Sequence, residues 1–507
     1  MISSCISEKK QEDNKSVKAE ANTPERTALH RPQYHYTSFR NWFNDPNGLI
    51  YHKGLYHMYY QYNPYGTQWG HMSWGHATSK DLIFWNEEKV AIPEDKHMIF
   101  SGTTAVSPET PTALCDAPDC IVAAYTSFEY ELDENKNINA LAQHQSLAFS
   151  KDGGYTFEKY KNNPVLDIGS KEFRDPKIFY HTESAKWIML VSLADQHAIA
   201  FYTSKDLLNW TEVSRFGNIG NVDSVWECPD LFKLNYNGQE KWVLTLSAGH
   251  PSGPGFYAMQ YFIGSFNGMS FKADALDYPR YLDFGKDFYA GITFANTNNL
   301  NRATMISWLG CHVYTKDTPT TTWRGAMSLP RDLYLDMAED TIILKSKPPL
   351  HYIKPLIQDT FIQDKIEVNG NHLLPIASKS FVSAFKVLKD SGSAGIEIFK
   401  SDSEKTVIGF DFDTREAFID RRGSGDVSFN KKFPSIEVAP VVSKNKAVSF
   451  TIFADESVVE VFVNDGETAI TNRVFPSKTS NKITLFTENG TAQFSNISVS
   501  TLKSIWN

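Results

Sequence analysis

The sequence predicts an all-β protein in which a five-bladed β-propeller is followed by a C-terminal β-sandwich. Three observations support this prediction: an acidic proline turn recurs, a polar hairpin motif recurs, and short alternating strands fill the C-terminal part of the chain. Because 507 residues exceed the size of a usual single core, two domains are expected.

The acidic proline turns are the strongest signal. Each is followed by an apolar strand-like run, a further turn and a second apolar strand. One unit therefore recurs with an acid near its start, and packing of the units around an axis would bring the acids into one pocket. Hydrolysis of a glycosidic bond requires two opposed carboxyl groups. The turns are Asn44-Asp45-Pro46-Asn47-Gly48, Arg174-Asp175-Pro176 and Glu227-Cys228-Pro229-Asp230.

A polar turn with an aromatic residue just beyond it recurs with a similar spacing. An alternating strand precedes each copy, so each copy is typical of a hairpin. A repeat of about 60 residues with about four strands has the size of a propeller blade. A short solenoid would also repeat, but it seldom brings acids together at a centre. The copies begin at Ser79, Ser150, Ser204 and, more weakly, Ser265.

These signals define the predicted domains. Residues 100–157 supply a further blade, and residues 289–335 would close a ring of five. After a linker over about 345–360, alternating strands separated by Asn, Asp, Gly and Ser turns are typical of a β-sandwich that braces the propeller. A lectin-like role for the sandwich has no dedicated signal. The predicted segments are an N-terminal tether at 1–30, a catalytic propeller at 31–345 and a sandwich at 360–507.

The composition narrows the classes of partner and of protein that are expected. The formal net charge is −9, and no basic cluster follows the first 40 residues, so nucleic acid is not an expected partner. No stretch approaches the roughly 20 apolar residues of a membrane-spanning helix. Aromatic residues make up 13% of the chain and suit stacking on sugar rings, although antiparallel sheets favour them anyway.

The N-terminus suggests a location outside the cytoplasm. Ile2-Ser3-Ser4-Cys5 resembles the end of a bacterial lipoprotein signal, in which the cysteine carries a lipid. The polar stretch from Glu8 to Thr27 has the composition of a disordered tether. We therefore expect membrane attachment through a lipid on Cys5 at the bacterial surface or outer membrane, with a secreted or periplasmic protein as the alternative.

Cysteine and glycine patterns predict no metal and no cofactor. The spacing of cysteine and histidine does not resemble a zinc set, and no glycine-rich phosphate loop occurs. Cys115 and Cys120 could close a small disulfide loop or remain free. Hydrolysis without a cofactor is therefore expected.

Several motifs in order give the chain a resemblance to glycoside hydrolase family 32, the family of invertases, inulinases and levanases. The resemblance runs from about residue 32 to the end and implies the same propeller and sandwich. The motifs that carry it are Trp42-Phe43-Asn44-Asp45-Pro46-Asn47-Gly48, Phe100-Ser101-Gly102, Phe173-Arg174-Asp175-Pro176, Trp226-Glu227-Cys228-Pro229-Asp230, Asp287-Phe288-Tyr289-Ala290 and Gly325-Ala326-Met327-Ser328-Leu329-Pro330-Arg331.

The resemblance implies a role for each acid. Asp45 matches the nucleophile, Glu227 the acid/base and Asp175 the stabiliser of the transition state. Such a pair acts with retention of configuration and lies about 5–5.5 Å apart. Glu227 would hold a proton at the start, so we expect its pKa to be raised. Arg174 would be the fixed cation that keeps one acid ionised and orients the sugar.

The same resemblance implies a fructose-binding pocket. Its expected members are Asn44, Gln61, Trp69, Phe100, Ser101 and Tyr289, with Trp308 as part of the wall.

One departure from the family pattern concerns the substrate. Many members carry an aspartate shortly after Phe-Ser-Gly, but residues 103–107 contain none, which leaves the shape beyond the first subsite open. The leading hypothesis is a fructan hydrolase, with levan favoured over inulin and endo action considered, in a monomer or weak dimer. The alternatives are an invertase-type enzyme that prefers sucrose, a transferase and a non-catalytic fructan-binding homologue.

Overall fold

The computed structural model describes residues 26–106, 114–115, 119–253, 255–275, 279–297 and 299–506. Five antiparallel sheets form the blades of a propeller, and the strands that follow form a β-sandwich, so the predicted fold class is confirmed. Cys5 and the rest of residues 1–25 lie outside the described residues.

The strands of the first four blades follow one another along the chain. Blade 1 contains β1 (Asn41–His52), β2 (Leu55–Asn63), β3 (Ser73–Ser79) and β4 (Trp85–Glu87). Blade 2 contains β5 (Met98–Val106), β6 (Ile121–Leu132), β7 (Ile138–Ser150) and β8 (Glu158–Lys159). Blade 3 contains β9 (Phe173–His181), β10 (Lys186–Leu193), β11 (Ala198–Ser204) and β12 (Thr211–Gly217). Blade 4 contains β13 (Glu227–Tyr236), β14 (Gln239–Gly249), β15 (Tyr257–Phe266) and β16 (Phe271–Ala273).

Blade 5 closes the ring. It begins with β17 (Tyr289–Thr293) and β18 (Ala303–Trp308), after which β19 (Trp323–Arg324) pairs in parallel with β1. The chain then completes the blade with β20 (Arg331–Ala338) and β21 (Thr341–Lys347). The prediction that this blade ends at residue 335 is wrong, because β19 joins blade 1 and the outer strand lies further along the chain.

The sandwich is built around two long strands. β31 (Lys482–Leu502) pairs through its first half with β24 (Ser393–Lys400) and through its second half with β23 (Ser380–Leu388), while β22 (Ile357–Ala377) pairs with both halves. Phe385, Ile396, Phe450 and Leu485 are among the buried residues of its core. The other strands are β25 (Thr406–Asp411), β26 (Glu416–Asp420), β27 (Ile436–Pro440), β28 (Ala447–Asp455), β29 (Val458–Val463) and β30 (Thr468–Arg473).

Helices are short in the described chain. The single α-helix, α1 (Leu350–Ile353), lies between the two domains, and the 3₁₀ helices are Thr182–Ser184, Ala194–Gln196, Thr315–Asp317 and Lys354–Leu356. A search of the described residues finds no helix whose length and apolarity would let it cross a bilayer.

The repeated hairpin motif forms the turn between the third and fourth strands of blades 1 to 4. In blade 1, Asp81 Oδ1 accepts hydrogen bonds from backbone N–H groups two and three residues further along, at 3.0 and 2.9 Å. Asp206 and Asn267 repeat this pattern, and Asp152 accepts from groups three and four residues on. Short polar side chains that bond their own turn explain the repeat, so the predicted hairpins are confirmed.

The first strand of each blade lines the axis, and in every blade a β-bulge interrupts its pairing near its start. An extra residue in a strand bends the backbone and turns a side chain toward a new direction. In blade 2 the bulge requires glycine, since a Cβ on Gly102 would lie 2.0 Å from the Ala124 carbonyl oxygen. The interruptions fall between Phe43 and Pro46, Ile99 and Gly102, Arg174 and Lys177, Glu227 and Asp230, and Tyr289 and Ile292.

A buried ionic network joins the propeller to the sandwich. Arg331, at the start of β20, donates to Asp283 Oδ2 at 2.8 Å and to Glu460 on β29. Glu460 also accepts from His35 Nε2 at 3.0 Å, and His35 Nδ1 contacts Asp455 Oδ2 at 2.9 Å. All five side chains are fully buried, so each charge depends on its partners rather than on water.

The end of the predicted tether is packed rather than free. The Arg26 guanidinium lies 3.9 Å from the centre of the Trp506 ring and donates to the Thr37 carbonyl at 2.9 Å. The His30 carbonyl accepts from Ser457 Oγ at 2.6 Å. Residues 26–30 therefore belong to the folded domains, because their side chains and carbonyls fill contacts between them. Cys115 and Cys120 form a disulfide.

We predict that Arg331→Met lowers the free energy of unfolding by about 3–5 kcal/mol, because it leaves Glu460 and Asp283 buried without their cation. Arg422→Met is the matched control, since Arg422 pairs with Asp420 at the surface and its loss should change little. Urea unfolding followed by tryptophan fluorescence measures both. Equal stability of the two variants would contradict a stabilising role for the network.

Candidate active site

The five bulges bring polar side chains from all five blades to one end of the propeller axis. The three predicted acids meet there, together with a serine from blade 2 and a tyrosine from blade 5. The first strands are bonded to one another beneath the site: Thr103 Oγ1 donates to the Pro176 carbonyl, and Thr104 Oγ1 donates to the Gly48 carbonyl. The converging side chains are Asp45, Ser101, Asp175, Glu227 and Tyr289.

Asp45 is held by groups on blades 1 and 2. Its Oδ2 accepts a hydrogen bond from Ser101 Oγ at 2.8 Å, and its Oδ1 accepts from Asn44 Nδ2 at 3.0 Å. Asn44 is fixed in turn, because its Oδ1 accepts from Trp42 Nε1 at 2.8 Å. The carboxylate therefore has a defined orientation toward the axis.

Asp175 is deeply buried and tied to blades 2 and 4. Its N–H donates to Thr126 Oγ1 at 2.9 Å, and its Oδ2 accepts from the Cys228 N–H at 2.9 Å. The Cys228 thiol lies 3.5 Å from Asp175 Oδ2 and 3.7 Å from Asp45 Oδ2, between the two acids. Asp175 and Cys228 have φ of 65° and 49°, a backbone conformation rare outside glycine that marks local strain at this site.

Glu227 bridges blades 3 and 5. Arg174 Nε donates to its Oε1 at 2.9 Å, and the Tyr289 hydroxyl donates to its Oε2 through a short hydrogen bond. Arg174 is fixed by further bonds to Glu172 Oε2 at 2.5 Å and Gln143 Oε1 at 3.2 Å. Part of the Glu227 carboxyl group still reaches solvent, which leaves it accessible to a ligand.

The surroundings shift the pKa of all three carboxyl groups. Burial raises the pKa of Asp45, and burial together with the negative charge of Glu227 raises the pKa of Asp175 to about 7. Burial alone would raise the pKa of Glu227 as well, but Arg174, His312 and the Tyr289 hydroxyl hold that pKa below its ordinary value. The expectation of a raised pKa for Glu227 is therefore wrong for the free protein, because its donors stabilise the charged form.

The other residues predicted to line the pocket lie at different depths from the surface. Trp69 remains 39% exposed and meets the Phe100 ring edge-on at 5.9 Å, so both line the outer part of the site. Gln61 is buried behind it, where its Nε2 donates to Asn47 Oδ1 at 2.7 Å and to the Ile99 carbonyl. Trp308 is fully buried beside Trp42 and supports the wall from within.

A row of aromatic rings leads away from Phe100 along β6. Phe128 stacks on Phe100 with ring centres 4.4 Å apart, and Tyr130 follows at 5.9 Å from Phe128 with nearly parallel rings. The Tyr130 hydroxyl donates to Glu94 Oε1 at 3.1 Å, which fixes the outer ring. Phe128 is buried in the middle of the row, whereas Phe100 and Tyr130 are half-buried and keep part of their surface exposed.

Several members of the site were not found in the sequence. His312 is exposed beside Trp308, at 5.0 Å between ring centres, and contacts the rings of Tyr289 and Tyr257. When protonated, its charge lowers the pKa of both Asp45 and Glu227. Residues that act through Arg174 or Asp175, such as Gln143 and Thr126, lie in alternating strands that carry no local motif.

Family models cover almost the whole described fold. The model described as "Glycosyl hydrolases family 32 N-terminal domain" matches residues 35–348, which span the propeller. The model described as "Glycosyl hydrolases family 32 C terminal" matches residues 354–501, which span the sandwich.

Individual proteins are similar over the same length. The levanase of Bacillus subtilis is 37% identical over 492 residues, which cover 94% of this chain and 71% of the levanase. The invertase of Debaryomyces hansenii is 34% identical over 493 residues, with 89% of each chain covered. The crystal structure of exo-inulinase from Aspergillus awamori superposes with a TM-score of 0.85 at 32% identity, covering 94% of this chain and 99% of that one.

Proposed function

The chain belongs to glycosyl hydrolase family 32, and from this premise we propose that it is a retaining β-fructofuranoside hydrolase that cleaves fructan polysaccharide, with levan as its favoured substrate. The observation that carries the proposal is the meeting of Asp45, Asp175 and Glu227 at the propeller axis, where each acid is held by donors from other blades. Relatives named levanase, exo-inulinase and invertase agree with the reaction class.

In the first step Asp45 attacks the anomeric carbon of a terminal or internal fructosyl unit while Glu227 gives its proton to the departing oxygen. The bond from the anomeric carbon to that oxygen breaks, and a bond from the carbon to Asp45 forms. Ser101 and Asn44 hold the attacking carboxylate, so its orientation is set before the substrate arrives.

Glu227 must hold a proton in this step, although its donors lower its pKa in the free protein while the pKa values of Asp45 and Asp175 are raised. Hydroxyl groups of a bound fructosyl unit would donate to Asp45 and Asp175 and stabilise their charged forms. These hydrogen bonds, together with the sugar that covers Glu227, would favour a proton on Glu227 over one on Asp45 or Asp175.

In the second step water attacks the anomeric carbon of the fructosyl enzyme. Glu227, now ionised, takes a proton from that water, the bond to Asp45 breaks, and fructose or a shortened chain leaves with its original configuration. Asp175 binds hydroxyls of the ring and stabilises the positive charge that develops there in both steps. Arg174 keeps Glu227 in place between the steps.

The aromatic row favours a polymer over sucrose as substrate. Rings of Phe100 and Tyr130 extend the contact surface beyond the first sugar, and stacked rings of this kind suit successive sugar faces. A disaccharide would leave the outer ring unused. The invertase relative makes sucrose hydrolysis the second candidate.

We also propose that the enzyme acts outside the cytoplasm. A polysaccharide must be shortened before import, and an exo-inulinase of Aspergillus niger that is 35% identical over 515 residues is named as extracellular. A lipid on Cys5 would hold the enzyme at the cell surface. Metabolic labelling with a palmitate analogue, compared between the native chain and Cys5→Ala, tests this attachment.

The function is tested by following products from levan, inulin and sucrose over time. We expect levan to have the highest kcat/KM. A ladder of oligosaccharides from the outset indicates internal cleavage, whereas fructose alone indicates cleavage from the chain end. Sucrose as the best substrate would replace the proposal with an invertase, and the absence of any product would overturn it.

We predict that Glu227→Ala lowers kcat on levan roughly 10²–10⁴-fold, which is the usual contribution of a general acid and base. KM should change little, since Asp45, Asp175 and the aromatic row remain. Glu183→Ala, which removes an exposed glutamate that pairs with Lys233, is the control and should keep full turnover. Wild-type kcat in Glu227→Ala would refute the assigned role.

We predict that Tyr130→Ala raises KM for levan about 3- to 10-fold and leaves sucrose hydrolysis unchanged, because a stacked ring contributes roughly 0.5–1.5 kcal/mol. Tyr130→Phe keeps the ring and loses only the bond to Glu94, so it should behave as the wild type. An equal change for levan and sucrose would show that the row does not bind a polymer.

A further inference from the structure

Three side chains with donor atoms suited to a transition metal meet on blade 2, on the face of β6 opposite the aromatic row. His97 directly precedes β5, Glu129 lies in β6 and His144 lies in β7. Side chains alternate between the faces of a strand, so Glu129 points away from its neighbours Phe128 and Tyr130. The three residues are brought together by the fold from separate segments.

The donor atoms face one another at short range. His97 Nε2 lies 3.3 Å and His144 Nδ1 lies 3.9 Å from the same oxygen, Glu129 Oε1, and the three donor atoms lie within 4.8 Å of one another. The imidazole rings are nearly perpendicular, with centres 5.5 Å apart. Among the described residues no hydrogen bond is formed by either imidazole or by the Glu129 carboxylate, although all three converge on one point.

We propose that His97, Glu129 and His144 form a binding site for a divalent transition metal ion, with Zn²⁺ as the ion that best suits two imidazoles and one carboxylate. Two histidines and a glutamate with an open fourth position are a recurrent zinc ligand set. The separations of 3.3 and 3.9 Å from Glu129 Oε1 to the two imidazole nitrogens are close to those of ligands arranged around one ion.

The surroundings fit the proposal. Burial lowers the pKa of both imidazoles below 6.5, which keeps them in the neutral form that binds metals. Glu129 is 37% exposed and gives an ion a path from solvent, whereas His144 is buried and fixed. The other charged groups that act on the pair are Asp95, Asp167, Lys96 and Lys159, whose charges balance.

Such an ion would link the β6–β7 hairpin to the segment before β5. The hairpin carries Phe128 and Tyr130, so the metal would stiffen the aromatic row from behind without touching Asp45 or Glu227. Sequence analysis found no metal set because the ligands are spread over three segments, with 31 and 14 residues between them.

The test is titration of the chelator-treated protein, free of any histidine tag, with ZnCl₂ in a calorimeter and with CoCl₂ in a spectrophotometer. We expect one equivalent to bind and Co²⁺ to give the strong visible absorption of low coordination number. His97→Ala, His144→Ala and Glu129→Gln should each weaken binding at least about 100-fold, because even outer partners of metal ligands are worth roughly 10–100-fold.

A matched control separates this site from ordinary surface histidines. His71 precedes β3 of the neighbouring blade 1 and pairs with Glu94 at 2.9 Å, outside the three-residue cluster, so His71→Ala should keep full affinity. Glu129→Gln is nearly isosteric, and its unchanged Tm without metal would verify its fold. Zn²⁺ should raise the Tm of the wild type and of His71→Ala, but not that of Glu129→Gln. Absence of saturable binding, or binding that survives in all three variants, would overturn the proposal.

Discussion

Three carboxyl groups can share one buried pocket because each accepts hydrogen bonds from a blade other than its own. Ser101 of blade 2 holds Asp45, the Cys228 N–H of blade 4 holds Asp175, and Tyr289 of blade 5 holds Glu227. These donors stabilise the charged forms and offset part of the loss of water and the mutual repulsion, which still leave the pKa of Asp45 and of Asp175 raised. The site is therefore a property of the closed ring, and no single blade could support it.

The sandwich contributes to the same site at a distance. Asp287, two residues before Tyr289, accepts from Arg421 at 2.7 Å and from the backbone N–H of Arg473 at 2.9 Å, both on the sandwich. The chain that enters β17 is thus anchored between the domains, and the hydroxyl that holds Glu227 follows directly from that anchor. The sandwich therefore braces the propeller by fixing the position of Tyr289, a hydrogen-bond donor of the active site.

Local signals in the sequence were enough to predict the blades and the turns that carry the three acids. The Asp81 turn and its relatives bond within themselves, and the acidic proline turns fall at the bulges of β1, β9 and β13, so both leave a local pattern. β19 could not be predicted, because two residues pair with a strand almost 300 positions away. His312 was missed because a single histidine four residues after Trp308 forms no recognisable motif, and its contacts with Tyr289 and with Tyr257 of blade 4 arise only in the fold.

The positions of these hydrogen-bond donors also determine how the pH dependence of the enzyme's rate is interpreted. Arg174 and Tyr289 stabilise the charged form of Glu227, whereas burial leaves the pKa of Asp45 and of Asp175 raised. The proposed mechanism needs a proton on Glu227, so sugar binding would have to supply hydrogen bonds that favour the charged forms of the other two acids. The acid and base limbs of a pH–rate profile therefore reflect the three carboxyl groups together, and neither limb gives the pKa of a single residue. The limbs should also differ between the free and the substrate-bound enzyme.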